Sequence, residues 1–378
     1  MRSALFSLFL FLWLIPCARP APLPDPPLLA AKGWLLYDYT GERVLVNSNG
    51  NARMEPASLT KLMTAYLTFD AIRHNTLSLQ QELTVPAIAQ LNNGDESRML
   101  LKAGQTVTVD ALLHGLVVDS GNDAAITLAE NIAGSEAGFV GMMNDQAKLL
   151  GMTGTHFTNP VGLPDPEHYS TAYDMALLAA AILRDYPQYY PLFGLRNYTF
   201  NNFTQANRNR LLWLDPYADG IKTGHTVSAG YCLIGSAQRD NRRLISVLFG
   251  AASDALRATE SQKLLNYGFQ NFDAVRLYEK NQRVTGLRIW KGTQREVSLG
   301  FRHDQYLTIP KGSYSRLQAT MLTHQPLIAP VTGGQQLGVL KLTLDGQPYA
   351  EYPLVALEPV PLANVFARGW DSLRLMFE

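Results

Sequence analysis

The stretch Glu55 to Ile72, EPASLTKLMTAYLTFDAI, marks where the chain turns from strand-like to helical patterning. Pro56 suits the first position of a helix, where its missing N–H is not needed. Apolar residues at helical spacing follow as far as Ile72. Before this stretch stand two strand-like runs, Gly33 to Tyr39 and Arg43 to Asn47, joined through Thr40-Gly41-Glu42 as a hairpin. After it, helical patterns continue at Val109 to Val118, Asp123 to Ile132, Ala137 to Leu150 and Ala172 to Arg184. Strand patterns return at Gly230 to Ala237 and Leu244 to Ala251, and a helix is expected at Ala255 to Tyr267. Strands, then helices, then strands predict one α/β unit: a sheet assembled from both ends of the segment and covered by helices.

Beyond about residue 272 the runs become short and rich in β-formers: Leu287 to Trp290, Glu296 to Leu299, Tyr306 to Ile309, Leu317 to Leu322 and Val339 to Leu344. Leu340, Leu342 and Leu344 alternate with Lys341 and Thr343, and Asp345-Gly346 turns the chain toward Tyr349 to Leu354. The expectation is a small all-β domain over 272–362, a spacer or binding module without chemistry of its own. Within 363–378, Val365 to Phe377 reads as a closing amphipathic helix. Phe366, Trp370, Leu373, Met376 and Phe377 share one face, and Arg368, Asp371, Arg374 and Glu378 lie elsewhere. That pattern suits an interfacial membrane helix, and also a helix packed on the β domain.

The 32 lysines and arginines balance the 32 aspartates and glutamates in 378 residues. Without a net positive field or a basic run interleaved with aromatics, nucleic-acid binding is not expected. The seven histidines are scattered, and Cys17 lies far from Cys232. No spacing suggests a metal site and no Gly-rich strand-to-helix loop suggests a nucleotide, so no cofactor is expected. Arg2 followed by ALFSLFLFLWLIP (Ala4 to Pro16) reads as an export signal over 1–18, the alternative being an uncleaved anchor. A Pro-rich leader (Pro20 to Pro27) then precedes a folded segment expected over 28–271. If Cys17 leaves with the signal, Cys232 has no partner and reads as a buried strand residue. An exported chain that avoids disulfides fits a bacterial envelope enzyme with an ample core.

Three elements carry the chemistry: Ser58-Leu59-Thr60-Lys61, Ser120-Gly121-Asn122 and Lys222-Thr223-Gly224. Each has an ordinary reading as well, namely an exposed helix start, an N-cap turn and a solvated turn between strands. In the functional reading Ser58 and Lys61 share one face of an opening helical turn. The positive end of the helix disfavours an ammonium and favours a developing oxyanion, and Lys222 as a second nearby cation would lower the Lys61 pKa. A neutral Lys61 then takes the proton of Ser58 as it attacks a carbonyl. Ser120 passes a proton to the leaving amine, and the Asn122 amide orients substrate and Lys61. GIKTGHTVSAGYC (Gly220 to Cys232) suits the lip of an edge strand, where Gly224 lets a substrate backbone lie close and Lys222 and Thr223 hold an anionic group.

In this order, the three elements resemble the signature set of the penicilloyl-serine transferases. Their flanks sharpen the likeness: Glu55 to Thr64, Ser120-Gly121-Asn122-Asp123-Ala124-Ala125, Thr155 to Leu163, and Asp219 to Thr226. They resemble the D-alanyl-D-alanine carboxypeptidases, the penicillin-binding protein 5/6 group. The resemblance implies a β-lactamase/transpeptidase-like catalytic domain, an antiparallel sheet covered by helices, followed by a small all-β domain and the amphipathic helix. It also implies Ser58 as nucleophile, Lys61 as general base, Ser120 and Lys222 as a proton relay to the departing D-alanine, and the N–H groups of Ser58 and His225 as oxyanion hole. Thr223 and Arg257 would bind the substrate's terminal carboxylate. The implied partners are the peptidoglycan stem pentapeptide and, as covalent inhibitors, β-lactam antibiotics. The implied location is the periplasm, with the C-terminal helix on the outer face of the inner membrane.

Three alternatives stay open at this level. A β-lactamase of the same fold would need a deacylating glutamate; Glu167 and Asp165 are present, but outside the lactamase pattern. A D,D-endopeptidase or esterase would use the same serine chemistry. A non-catalytic envelope-binding protein would have no need of the full set of side chains found here.

Overall fold

The computed structural model describes residues 24–90, 97–323 and 325–376. The export signal expected over 1–18 and the positions of Phe377 and Glu378 lie outside the described residues. The chain opens with the expected hairpin, β1 (Gly33–Asp38) and β2 (Arg43–Ser48), paired antiparallel. A 3₁₀ turn, Ala57–Thr60, follows and runs directly into α1 (Lys61–Arg73). The α-helix therefore begins at Lys61 and not at Pro56, which precedes the tighter turn. Every residue of α1 from Lys61 through Phe69 is buried, so it is a core helix with little amphipathic contrast.

Short strands β3 (Glu82–Thr84) and β4 (Thr106–Thr108) pair next. The helix expected over Val109 to Val118 is split: α2 (Val109–His114) continues as a π-helical turn, Gly115–Asp119, ending at Ser120 in the left-handed region. Such widened turns frequently occur at functional sites. Then come α3 (Asn122–Ala133), α4 (Glu136–Leu149) and α5 (Ala172–Asp185). Thr171 and Ser135 cap α5 and α4 through their side-chain oxygens. A surface hairpin, β5 (Asn197–Phe200) and β6 (Phe203–Ala206), leads through the single turn α6 (Leu211–Leu214) to β7 (Ala218–Thr226), β8 (Gly230–Arg239) and β9 (Arg242–Ala251). The long helix α7 (Asp254–Asn271) closes this part.

The central sheet has the order β2-β1-β9-β8-β7, so strands from both ends of the segment do share one sheet. Alternation along β1 explains how it is covered. Leu35 and Tyr37 join the large core beneath α1, α3 and α5, whereas Trp34 and Leu36 join Leu264 and Leu265 of α7 on the other face. At one edge lies β7, beside the Ala57–Thr60 turn.

The all-β domain contains β10 (Phe272–Tyr278), β11 (Arg283–Trp290), β12 (Glu296–Gly300), β13 (Gln305–Pro310), β14 (Leu317–Thr323), β15 (Leu327–Ile328), β16 (Gln336–Leu344) and β17 (Gln347–Ala356). Six of these form a sheet in the order β14-β16-β17-β12-β11-β15, and β10 pairs with β13. Leu340 and Leu342 enter its core with Val297, Leu299 and Leu354. The terminal helix α8 (Val365–Leu375) turns Asp371 toward this domain, its carboxylate accepting the Lys291 N–H at 2.6 Å. Its apolar face points away: Phe366 is 90% exposed and Met376 80%. No described helix is long and apolar enough to cross a membrane.

Candidate active site

A cavity of about 660 Å³ opens between the helical layer and the edge strand β7. Ser58 sits at its floor because the chain turns sharply there: Ala57 adopts φ +48°, a strained value for a residue with a side chain. One helical turn on, Lys61 is 1% exposed, and its amine donates to Ser58 Oγ at 3.0 Å and to the Val161 carbonyl at 2.8 Å. The second serine is placed by the end of the π-helical turn, Ser120 having φ +58°. Lys222 of β7, 3% exposed, donates to Ser120 Oγ at 2.8 Å and to the Thr223 carbonyl at 3.0 Å. Two hydroxyl–amine pairs, brought from three places in the sequence, thus meet at one pocket. Asn122 lines it too, anchored through its backbone N–H to Ser97 at 2.8 Å.

The close approach of β7 to the Ser58 turn requires glycine. A Cβ on Gly224 would come within 2.9 Å of the Pro56 carbonyl oxygen and 3.1 Å of the Ser58 nitrogen. His225 follows at the exposed lip, its ring 4.0 Å from that of Tyr231. Burial of its ring, with Arg257 nearby, lowers the His225 pKa. Burial also pushes the Lys222 ammonium well below lysine's ordinary range, and Lys61, Arg208 and Arg257 push it further.

Arg257 is brought to the cavity as expected, but it is not an open fork. Its guanidinium donates to the carbonyls of Gly224 at 3.0 Å and Arg208 at 3.3 Å, and also to the Asp254 carboxylate. Cys232 lies on β8, fully buried, its thiol pushed up to about 11 by burial. Glu167 and Asp165 line a separate surface pocket with Arg53 and Tyr169, outside the Ser58 cavity. The deacylating carboxylate of a class A β-lactamase has no counterpart in that loop.

Several contributors escaped the sequence reading. The Val161 carbonyl is aimed at Lys61 by a loop organised around Asn159, whose Oδ1 accepts the N–H groups of Val161, Gly162 and Leu163 at 3.2, 2.7 and 3.0 Å. The Asn-Pro-x-Gly sequence there is a turn signal that could have located this hub. Beneath it, His168 accepts the Thr158 N–H on Nδ1 at 3.0 Å, so its Nε2–H faces Thr60 Oγ1 at 2.8 Å. Arg208 and Asp254 also line the cavity, and no local pattern announces either.

A helix-covered antiparallel sheet with paired serines and lysines at its edge is the architecture of serine D,D-peptidases. The chain belongs to the peptidase S11 family of D-alanyl-D-alanine carboxypeptidases, whose profile it matches over residues 21–253. Residues 272–362 match the penicillin-binding protein 5 C-terminal domain. The chain is 39% identical to D-alanyl-D-alanine carboxypeptidase DacC of Escherichia coli (strain K12), over 98% of this chain and 94% of that one. The solved penicillin-binding protein 5 from Haemophilus influenzae superposes with a TM-score of 0.85 at 38% identity, covering 89% of this chain and 99% of that one. Penicillin-binding protein D2 from Listeria monocytogenes, solved in an ampicillin-bound form, aligns with a TM-score of 0.59 at 32% identity, covering 65% of this chain and all of the other.

Proposed function

We propose that this serine-type D-Ala-D-Ala carboxypeptidase works through Ser58 as nucleophile with Lys61 as its base. The observation that carries this is the pairing itself, Lys61 Nζ at 3.0 Å from Ser58 Oγ in one cavity with Lys222 Nζ at 2.8 Å from Ser120 Oγ. Ser58 Oγ attacks the carbonyl carbon of the penultimate D-alanine, and its proton passes to Lys61. The backbone N–H groups of Ser58 and His225 hold the oxyanion. As the C–N bond breaks, the leaving amine takes a proton from Ser120, resupplied by Lys222, and free D-alanine departs. Asn122 steadies the peptide, which lies along β7 beside Gly224, while Thr223 and Arg257 take its terminal carboxylate. Water, with Lys61 again as base, then cleaves the Ser58 ester and releases the shortened stem peptide.

The substrate is the peptidoglycan stem pentapeptide, and β-lactams, which the Listeria relative holds, acylate the same serine. The exported chain works in the periplasm, with 28–271 as catalytic domain, 272–362 as β domain and 363–378 as a helix lying on the membrane surface. Mass spectrometry of the intact protein after benzylpenicillin, with peptide mapping, tests the nucleophile directly. A penicilloyl group on the Ser58 peptide is expected. An adduct elsewhere, or intact drug with unmodified protein, overturns the assignment. Comparing D-alanine release from a pentapeptide with cleavage of cross-linked dimers separates carboxypeptidase from endopeptidase action.

A further inference from the structure

Arg257 reaches the cavity already holding a carboxylate. Its orientation is set by three backbone carbonyls, those of Gly224 at 3.0 Å, Cys232 at 3.5 Å and Arg208 at 3.3 Å. The Tyr231 ring adds a face, 5.4 Å from the guanidinium carbon. Asp254 is therefore not needed to aim Arg257, yet one carboxylate oxygen accepts from Arg257 and the other from Arg210 Nε. The exposures run outward along this chain of charges: the Arg257 side chain is 6% exposed, Asp254 31% and Arg210 62%. Asp254 lines the cavity in the first turn of α7, where a carboxylate also meets the positive end of the helix.

We propose that Asp254 is a specificity-determining residue, an internal carboxylate that occupies Arg257 and that the substrate's terminal carboxylate must displace. This rests on the reading of Arg257 as the carboxylate site. Recognition is then an exchange of one anion for another, with Arg210 holding the displaced Asp254 near the cavity rim. The free-carboxylate preference of the enzyme is set by the difference between these two pairings. A like charge left in the site also weakens binding of any anionic inhibitor.

The test compares a diacylated Lys-D-Ala-D-Ala tripeptide with its C-terminal amide, following release of D-alanine or D-alaninamide. Asp254→Asn should raise the ratio of kcat/KM on the free acid to that on the amide about tenfold. Asp254→Ser, which keeps an oxygen in the first turn of α7, should do the same and guards against a folding defect. Arg210→Gln, which removes the second partner of Asp254, should lower the preference for the acid. A parallel fall on both substrates in the Asp254 variants, or an unchanged ratio, overturns the proposal. Arg257→Gln distinguishes the two readings. If it abolishes the acid preference while Asp254→Asn leaves the ratio unmoved, only the exchange falls. If Arg257→Gln keeps the preference, both fall.

Discussion

Lys222 Nζ donates to Ser120 Oγ at 2.8 Å from a side chain only 3% exposed. A lysine so placed resists its own charge, first through burial and then through Lys61, Arg208 and Arg257. Lys61 is thus one of the charges that Lys222 feels across the pocket. On the proposed mechanism, acid that forces the amines to charge leaves none to take the Ser58 proton.

Acylation by benzylpenicillin should accordingly fail on the acid side, with a limb that follows the lowered pKa of Lys222. Arg208→Gln removes one cation that disfavours the Lys222 charge, so that pKa rises and the limb moves to higher pH. Stopped-flow acylation rates across pH give the measurement. A limb that stays put or moves to lower pH would sink this account of Lys222.

Gly162 should not tolerate a side chain. It has φ +91°, and a Cβ there would come within 1.8 Å of the Ala57 carbonyl oxygen. Gly162→Ala is expected to cost roughly 2 kcal/mol or more. It should also slow acylation, because the Val161 carbonyl can no longer hold Lys61. Thermal melting and adduct formation at a temperature where the variant remains folded check both parts.

The parts of this site legible in the sequence are those whose chemistry is local. Ser58 and Lys61 are one helical turn apart, and Gly224 announces a close backbone approach, so their roles could be argued from spacing. The π-helical turn before Ser120 could not be read, since Val109 to Val118 has apolar residues at ordinary helical spacing throughout. Val161 was invisible for another reason: it acts through its carbonyl, which every residue possesses. Arg257 was legible as a cation, but its pairing with Asp254 depends on how α7 starts against β7. The sheet order followed from the strand–helix–strand succession, whereas the hairpin β5–β6 is short and exposed and left no buried pattern to detect.

His168 predicts a stability window. Burial lowers its pKa from 6.5 to about 4, so the folded state keeps a neutral ring that accepts the Thr158 N–H. Between those values the unfolded chain binds the extra proton at this site, so the stability His168 contributes falls as pH drops from 6.5 toward 4 and then levels. A gap of that size corresponds to roughly 3 kcal/mol. His168→Gln should be less stable at neutral pH and should lose this slope. A wild-type melting curve that runs parallel to that of His168→Gln across the window would contradict the buried neutral ring.

Asp38 predicts how the two domains depend on one another. It is fully buried, accepts from Arg242 at 2.9 and 2.8 Å, and accepts the Thr308 hydroxyl of β13 at 2.8 Å. One carboxylate thus neutralises a partly buried guanidinium and ties the central sheet to the β domain. Asp38→Ala leaves the Arg242 charge facing only the Gly268 and Phe272 carbonyls, and removal of one partner from such a pair costs about 3–5 kcal/mol. Urea denaturation should register that loss; a change below about 1 kcal/mol would mean the contact is solvated.

The outward face of α8 gives the last prediction. Phe366, Trp370, Leu373 and Met376 are 90, 59, 50 and 80% exposed, and Asp371 holds the helix on the β domain from another side. Burying one large side chain in an interface contributes roughly 1.5–3 kcal/mol. Phe366→Asp with Trp370→Asp should therefore reduce cosedimentation with phospholipid vesicles by on the order of a hundredfold or more. Benzylpenicillin acylation in solution should be unchanged, because the helix contributes nothing to the Ser58 cavity. Unaltered vesicle binding in the double variant, or none in the wild type, would overturn the proposal that α8 lies on the membrane.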